Sequence, residues 1–350
     1  MSENKNKFSA FPATALSDWQ IAAREELDGA DATEKLAHRG EGWIIQPFYD
    51  QNQNQDREAA PLLSDSGDIY LGPRAWHSCP RIHEGKAEKM NEMALEHLKQ
   101  GADGILFEVN EDINLNILLE GIEWPYCSLN FLAKKNPSAV MESLGHFIGD
   151  TRAELHGAFF GNALPPDSMA GNFHFAGFEM GMSPSPVEQI IQGFNRMSST
   201  LKEKFPKKAG QVAFTVSIGP DFFMELAKLR AIRTVWKKFL KETQSNPETP
   251  LLIHTFSTSW ANKNYEPQGN MLKSTTAAMS AILGGCDSLT LDPENPNQPM
   301  MARVARNVSH ILREESYFSK VADATAGSYF IENLTAQLTA SAWNSIRLAL

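Results

Sequence analysis

The sequence predicts an α/β protein built as a closed (β/α)8 TIM barrel, with an N-terminal helical and extended arm in front of it. Three observations carry this expectation. Eight short apolar runs suited to strands occur from residue 70 onward, at 70–76, 104–109, 126–131, 155–160, 172–175, 212–218, 251–256 and 287–291. Helical patterns fall between most of them, near 85–100, 136–149, 187–204, 221–241 and 270–283. Strands alternating with helices imply right-handed βαβ units in a parallel sheet. The strand count then favours a ring over the open doubly wound sheet that the same alternation also allows.

Residues 1–69 read as arm and linker, and residues 70–350 as the barrel and a C-terminal helix. The first ten residues are polar. FPATALSDWQIAAREELDG (11–29) starts a helix: Ser17 can cap it, Asp18 falls in its first turn, and Gly29 ends it. Trp19, Ala22, Ala23 and Leu27 recur at helical spacing as an apolar stripe. WIIQPFY (43–49) is strand-like, and QNQNQDREAAPLLSDSGD (51–68) is polar and loop-like. This opening module suits an element that packs on something else, such as a partner subunit. Within the barrel the clearest helix is DFFMELAKLRAIRTVWKKFLK (221–241). Phe222, Leu226, Leu229, Trp236 and Leu240 make one buried stripe along it. Pro220 precedes it, Asp221 and Glu225 sit in its first turn, and lysines crowd its last, as the helix dipole favours.

Composition narrows the function. Lys and Arg number 32 against 42 Asp and Glu, a formal charge of −10, which argues against a partner held through nucleic-acid phosphates. No basic amphipathic stretch points to a membrane surface, and no apolar run has the length of a membrane span. Cys79, Cys127 and Cys286 lie far apart, which fits a reducing compartment better than a disulfide framework or a structural zinc site. The N-terminus has no apolar signal segment, so the expected location is the cytoplasm.

Sequence patterns for phosphate loops, dinucleotide folds, nucleophile elbows, zinc proteases and EF-hands are absent from the chain. Gly284 and Gly285 in ILGGCDSL read as a helix end turning into the last strand before they read as a phosphate cradle. His254 lies on a predicted strand, where it either faces the barrel mouth or packs as a core ring. His174, flanked by phenylalanines, is either a general acid or a packed ring. Ser257, Thr258, Ser259 and Trp260 read first as a polar strand-to-helix loop, and small hydroxylated residues there also leave room for a slim ligand.

Four segments together resemble the methylmalonyl-CoA mutase family. They are IGPDFFMELAKLRAIRTVWKKFL (218–240), HTFSTSWANKNYEPQGNMLKSTTAAMSAILGGCDSLTLDP (254–293), DATAGSYFIENLTAQLTASAW (323–343) and the opening FPATALSDWQIAAREELDGADATEKL (11–36). The third is similar to the family's DPxGGSYxxExLT signature, and the opening to the arm of its small-subunit members. The resemblance is weakest between residues 50 and 200. It implies a (β/α)8 barrel that catalytic members join to a cobalamin-binding domain. In those members the pantetheine of an acyl-CoA runs along the barrel axis, and an adenosylcobalamin radical interconverts methylmalonyl-CoA and succinyl-CoA.

The chain departs from that pattern at the positions that handle substrate. None of its nine histidines has an Asp two places before it, so the family's DxHxxG cobalt-ligand motif does not occur. The run from Glu154 to His174 contains no Arg to bind a substrate carboxylate. Aligned from Trp76, the family's substrate-covering Tyr falls on Arg81, and its catalytic His falls on either His174 or Gly177. The expectation is therefore a small (beta) subunit, a non-catalytic barrel that supports a catalytic large (alpha) subunit. No cofactor or metal is expected on this chain alone, with adenosylcobalamin in the assembled mutase. The alternative is a catalytic acyl-CoA mutase barrel served by a separate cobalamin-binding polypeptide, or a piece of a longer subunit. For a site the resemblance offers His174 as catalytic only if the barrel is active, and His254, Ser257 and Ser259 as contacts to a CoA ester.

Overall fold

The computed structural model describes residues 15–50, 63, 66–151, 154–166, 173–257, 267–295 and 298–349. The arm comes first, as α1 (Leu16–Glu26), α2 (Ala32–Lys35), β1 (His38–Gly40) and β2 (Trp43–Ile45). The barrel follows as β3 (His77–Ser78), β4 (Arg81–Ile82), α3 (Ala87–Lys99), β5 (Gly104–Glu108), α4 (Leu115–Leu118) and β6 (Ser128–Leu132). It continues through α5 (Pro137–Thr151), β7 (Ala158–Phe160), β8 (His174–Glu179), α6 (Pro186–Leu201), α7 (Phe205–Lys208) and β9 (Val212–Ile218). The last elements are α8 (Phe222–Glu242), β10 (Leu252–Ser257), α9 (Pro267–Gly284), β11 (Ser288–Thr290), α10 (Pro299–Glu314) and α11 (Tyr329–Leu348).

Residues 77–82 turn the sheet into a ring. The hydrogen-bonded order is β3-β11-β10-β9-β8-β7-β6-β5-β4, with every pairing parallel. Its two ends, β3 and β4, are halves of one strand interrupted at Cys79–Pro80. Cys79 donates its backbone N–H to Leu289 O on one side, and Pro80 O accepts from Leu106 N on the other. Proline has no N–H to give the ladder, which is why the pairing breaks there. The ring thus has eight strands, as the sequence predicts.

Several predicted boundaries move. The first strand lies at 77–82 and not at 70–76, which forms turns and bends stabilised by Asp68 and Ser66 side chains on nearby backbone. The fifth strand begins at His174 and runs to Glu179, later than the predicted 172–175, with Phe175 to Phe178 buried without a break as a strand covered on both faces requires. In the arm only 43–45 is strand, paired antiparallel with 38–40. Helix α1 starts before Ser17, with Asp18 accepting from the Ala15 N–H, and ends before Gly29. Helix α8 matches expectation more closely: Asp221 caps it by accepting from Met224 N, and Leu226, Leu229, Trp236 and Leu240 are buried. Phe222 is only half-buried. Gly284 ends α9 and Gly285 takes a φ of +95°, the helix-end geometry read from the sequence.

The strands alternate as a barrel requires. Residues such as Ile105, Phe107, Leu129 and Phe131 face outward into one helix-covered core, and Phe214, Val216, Ile253 and Leu289 into a second. A third, smaller cluster of Leu106, Leu132, Ala158, Phe160 and Ala213 lies inside the ring. The arm hairpin packs on the barrel's own last helix: Gln337 on α11 bonds both the N–H and the carbonyl of Ile44, and Ser341 donates to Gly42 O. By contrast α1 buries no residue, and its Trp19 stacks on Phe48 at 5.2 Å.

Candidate functional site

In a parallel barrel the reactive end is the mouth at the C-terminal ends of the strands, and a ligand reaching down the axis needs space between the inward side chains. Among the described residues, packed side chains occupy the middle of the ring. Phe160 is 1% exposed, Leu106 2% and His254 0%, with the Phe160 ring 5.6 Å from the His254 imidazole. Gly177, the inward residue of β8 beside them, has no room for a side chain, because a Cβ there would overlap the Phe159 carbonyl oxygen and the Phe160 ring. Whatever residue type other barrels carry at this place, this backbone accepts glycine alone.

Around His254 the polar groups satisfy one another. The Thr290 hydroxyl donates to Cys79 O and also lies 3.2 Å from His254 Nε2. Its proton is therefore committed, so the contact with the imidazole requires Nε2 to carry the hydrogen. That leaves Nδ1 as the acceptor from Ser288 Oγ at 2.7 Å. Burial, with a smaller push from Arg81, lowers the His254 pKa to about 3, so the ring is neutral and both nitrogens are engaged. His254 is the satisfied core histidine of the two readings above.

Above this layer a charged lid spans the mouth. Arg81 donates from Nε to Asp292 Oδ1 at 2.9 Å and from Nη1 to Glu108 Oε1 at 3.0 Å, with its guanidinium 5.3 Å from the centre of the Phe256 ring. His83 Nδ1 lies 2.8 Å from the other Glu108 oxygen, and the Lys134 ammonium adds a 3.3 Å ion pair. Burial alone would raise the Glu108 carboxyl, but bonds from His83 and Arg81 and the charges of Arg81 and Lys134 outweigh it and hold the pKa at about 2. Asp292 goes the other way, raised because its burial exceeds the pull of Arg81.

The residues singled out in the sequence do not converge. His174 begins β8, at the end of the barrel opposite the mouth, and its Nδ1 meets Val212 O at 3.0 Å. Burial lowers its pKa, partly offset by that carbonyl. Ser257 stands at the mouth end of β10, but it is 1% exposed and its Oγ accepts from Asp292 N at 2.9 Å. Ser259 lies outside the described residues, with Thr258 and Trp260. The mouth residues that reading missed are Glu108, Lys134 and Asp292. Their signal was present: each sits at or just past the end of a predicted strand, where inward side chains reach the rim.

The signature-like segment near the C-terminus has a structural use. Arg230 on α8, 1% exposed, bonds both oxygens of Asp323 at 2.8 and 2.7 Å and reaches Glu332 Oε1 at 3.3 Å. The segment after α10 is thereby pinned to the barrel wall, and Ser328 caps α11 by accepting from Ile331 N. Among the described residues no group of His, Cys, Asp and Glu is placed to hold a metal ion, and no helix is long and apolar enough to cross a membrane.

Fold and site define a class: a closed parallel (β/α)8 barrel with a side-chain-filled axis and an ion-paired lid. Comparison with known proteins then shows what the chain is similar to. Residues 200–348 match the methylmalonyl-CoA mutase family. Over 98% of its length the chain is 25% identical to the methylmalonyl-CoA mutase small subunit of Porphyromonas gingivalis, covering 64% of that protein. It is 35% identical over 91% of its length to the mitochondrial methylmalonyl-CoA mutase of Macaca fascicularis, covering 52%. The large subunit from Porphyromonas gingivalis is 33% identical over 40% of this chain. The resemblance to the methylmalonyl-CoA mutase family is thus real, by family match in the C-terminal part and by similarity to a small subunit across nearly the whole chain. The chain spans less than two thirds of the length of these relatives.

Proposed function

We propose that this chain is a small-subunit-type barrel that does not itself rearrange acyl-CoA and that supports a catalytic large subunit of methylmalonyl-CoA mutase. The observation that carries the reading is the filled axis. Phe160, Leu106, Leu132 and His254 occupy the route a pantetheine chain would take, and the Arg81–Glu108–Asp292 lid closes its upper end. A radical enzyme needs the opposite, an open and dry channel that holds the thioester against its cofactor.

Adenosylcobalamin does not fit the described residues. His254 is fully buried with both nitrogens engaged, and the chain carries no DxHxxG cobalt-ligand motif. The cofactor belongs to the partner in this reading, where the same chemistry gives the interconversion of methylmalonyl-CoA and succinyl-CoA. The arm, residues 1–69, is the element offered to that partner, since α1 packs none of its side chains into the barrel core. The cytoplasm is the proposed location, and CoA esters are substrates of the assembly and not of this barrel. That relatives named small and large subunit both occur in Porphyromonas gingivalis supports the pairing.

The test is a pull-down of the tagged chain from its native lysate, with co-purifying chains identified by mass. A long partner bearing a complete barrel and a DxHxxG motif is the expected result. A short partner carrying DxHxxG without a barrel would make this chain the catalytic barrel and overturn the reading.

A further inference from the structure

The ring closes between its first and last strands, and there its outer layer does not close. A cavity of about 400 Å³ lies between α3 and α10, over the outer side of residues 78–80 and of β11. Its walls are largely apolar, with Pro80, Met90, Leu289, Leu291, Ala302 and Ala305 among the lining residues. One end opens at the rim beside Lys86 and Lys89, which are exposed. The other end reaches His97, eleven residues further along α3 and so about 16 Å away by helical rise.

At that inner end sits a cation without a carboxylate. Arg306 on α10 is 6% exposed and lines the cavity. Its Nη1 donates to His97 Nδ1 at 3.0 Å and its Nη2 to the Gln100 side-chain oxygen, both neutral acceptors, while its buried Nε–H has no partner among the described residues. The acid whose charge acts on it is Glu96, which is exposed, makes no ion pair with it and already accepts from Gln100 Nε2 at 2.9 Å. Burial pulls the guanidinium pKa down, with Glu96 only partly offsetting it, as a desolvated charge lacking a counter-ion requires. Of the other buried arginines, Arg230 and Arg313 each face a carboxylate directly, whereas Arg74 is held by the backbone carbonyls of Ala75 and Cys286 and does not line this cavity.

A buried guanidinium normally meets an acid, and a donor left unpaired inside carries a desolvation cost. From the cavity's shape, its apolar walls and this uncompensated cation, we infer that the flank between α3 and α10 is a binding site for an aliphatic carboxylate. The chain of such a ligand lies against Met90, Leu289, Leu291 and Ala302, and its head group is received by Arg306. The site lies on the outer side of the ring, and at its rim end Arg81 and His83 of the ion-paired lid also line it.

Calorimetric titration of the full chain with octanoate, and with octanol as the uncharged counterpart, tests it. The expected result is saturable one-site octanoate binding, with octanol at least tenfold weaker. Arg306→Gln, which keeps hydrogen-bonding capacity but removes the charge, is expected to weaken octanoate at least tenfold. Ala302→Phe, which fills the cavity without touching Arg306, is expected to do the same. Absence of saturable octanoate binding, equal binding of octanol, or undiminished binding in either variant overturns the inference.

Discussion

Replacing Phe160 with alanine tests directly whether the barrel axis is a packed interior. The side chain is 1% exposed, belongs to the inner cluster with Leu106, Leu132, Ala158 and Ala213, and lies against the His254 ring. Those neighbours stand on five different strands whose backbones are fixed by the ring, so the site can relax little into the space left behind. Losses of about 3–5 kcal/mol are typical when a packed phenylalanine is cut to alanine, because the lost transfer energy and the unfilled cavity add. With a urea slope on the order of 3 kcal/mol/M, the midpoint of unfolding should fall by about 1–1.7 M with the slope unchanged. Equilibrium urea unfolding followed by tryptophan fluorescence reads this. A fall of less than about 0.3 M would mean that Phe160 is not held by tight packing, and the argument for a closed axis would fail.

Three further outcomes follow from the same contacts. Gly177→Ala should destabilise by at least about 2 kcal/mol and should not be rescued by Phe160→Ala, because its first clash is with the Phe159 backbone; thermal unfolding of the single and double variants checks this. Acid should act in two windows: a folded-state pKa of about 3 at His254, against 6.5, removes stability as pH falls below about 6.5, and Glu108, at about 2 against 4.5, adds to the loss below about 4.5. Glu108→Gln should therefore flatten only the lower window, by up to about 1.4 kcal/mol per pH unit, in urea titrations between pH 6 and pH 3. Arg230→Met should cost about 3–5 kcal/mol by chemical denaturation, since it strands Asp323 and Glu332 in a site where they are 6% and 15% exposed.

Much of the architecture was legible in the sequence because strands and helices alternate with distinct periods, and Asp221, Glu225 and the lysines mark the ends of α8 as helix electrostatics favour. The first strand was not legible. Its bonded residues, His77, Ser78, Arg81 and Ile82, form no apolar run and are split by Pro80, so ring closure and not local propensity fixes them. The same limit governs the site. Sequence spacing drew attention to His174 and His254, but whether a histidine faces substrate depends on depth along the axis. His174 turned out to sit at the far end of its strand and His254 in the middle of a satisfied hydrogen-bonded chain. That the axis is filled depends on Leu106, Leu132 and Phe160 meeting from three strands, a long-range fact that no single segment displays.

The central claim is that this barrel admits no thioester. Calorimetric titration of CoA into the purified chain, run in parallel on Arg306→Gln to silence the flank cavity, measures it most directly. The account predicts no saturable binding at millimolar CoA in either protein. One-site binding that persists in Arg306→Gln would place CoA in the axis and contradict it.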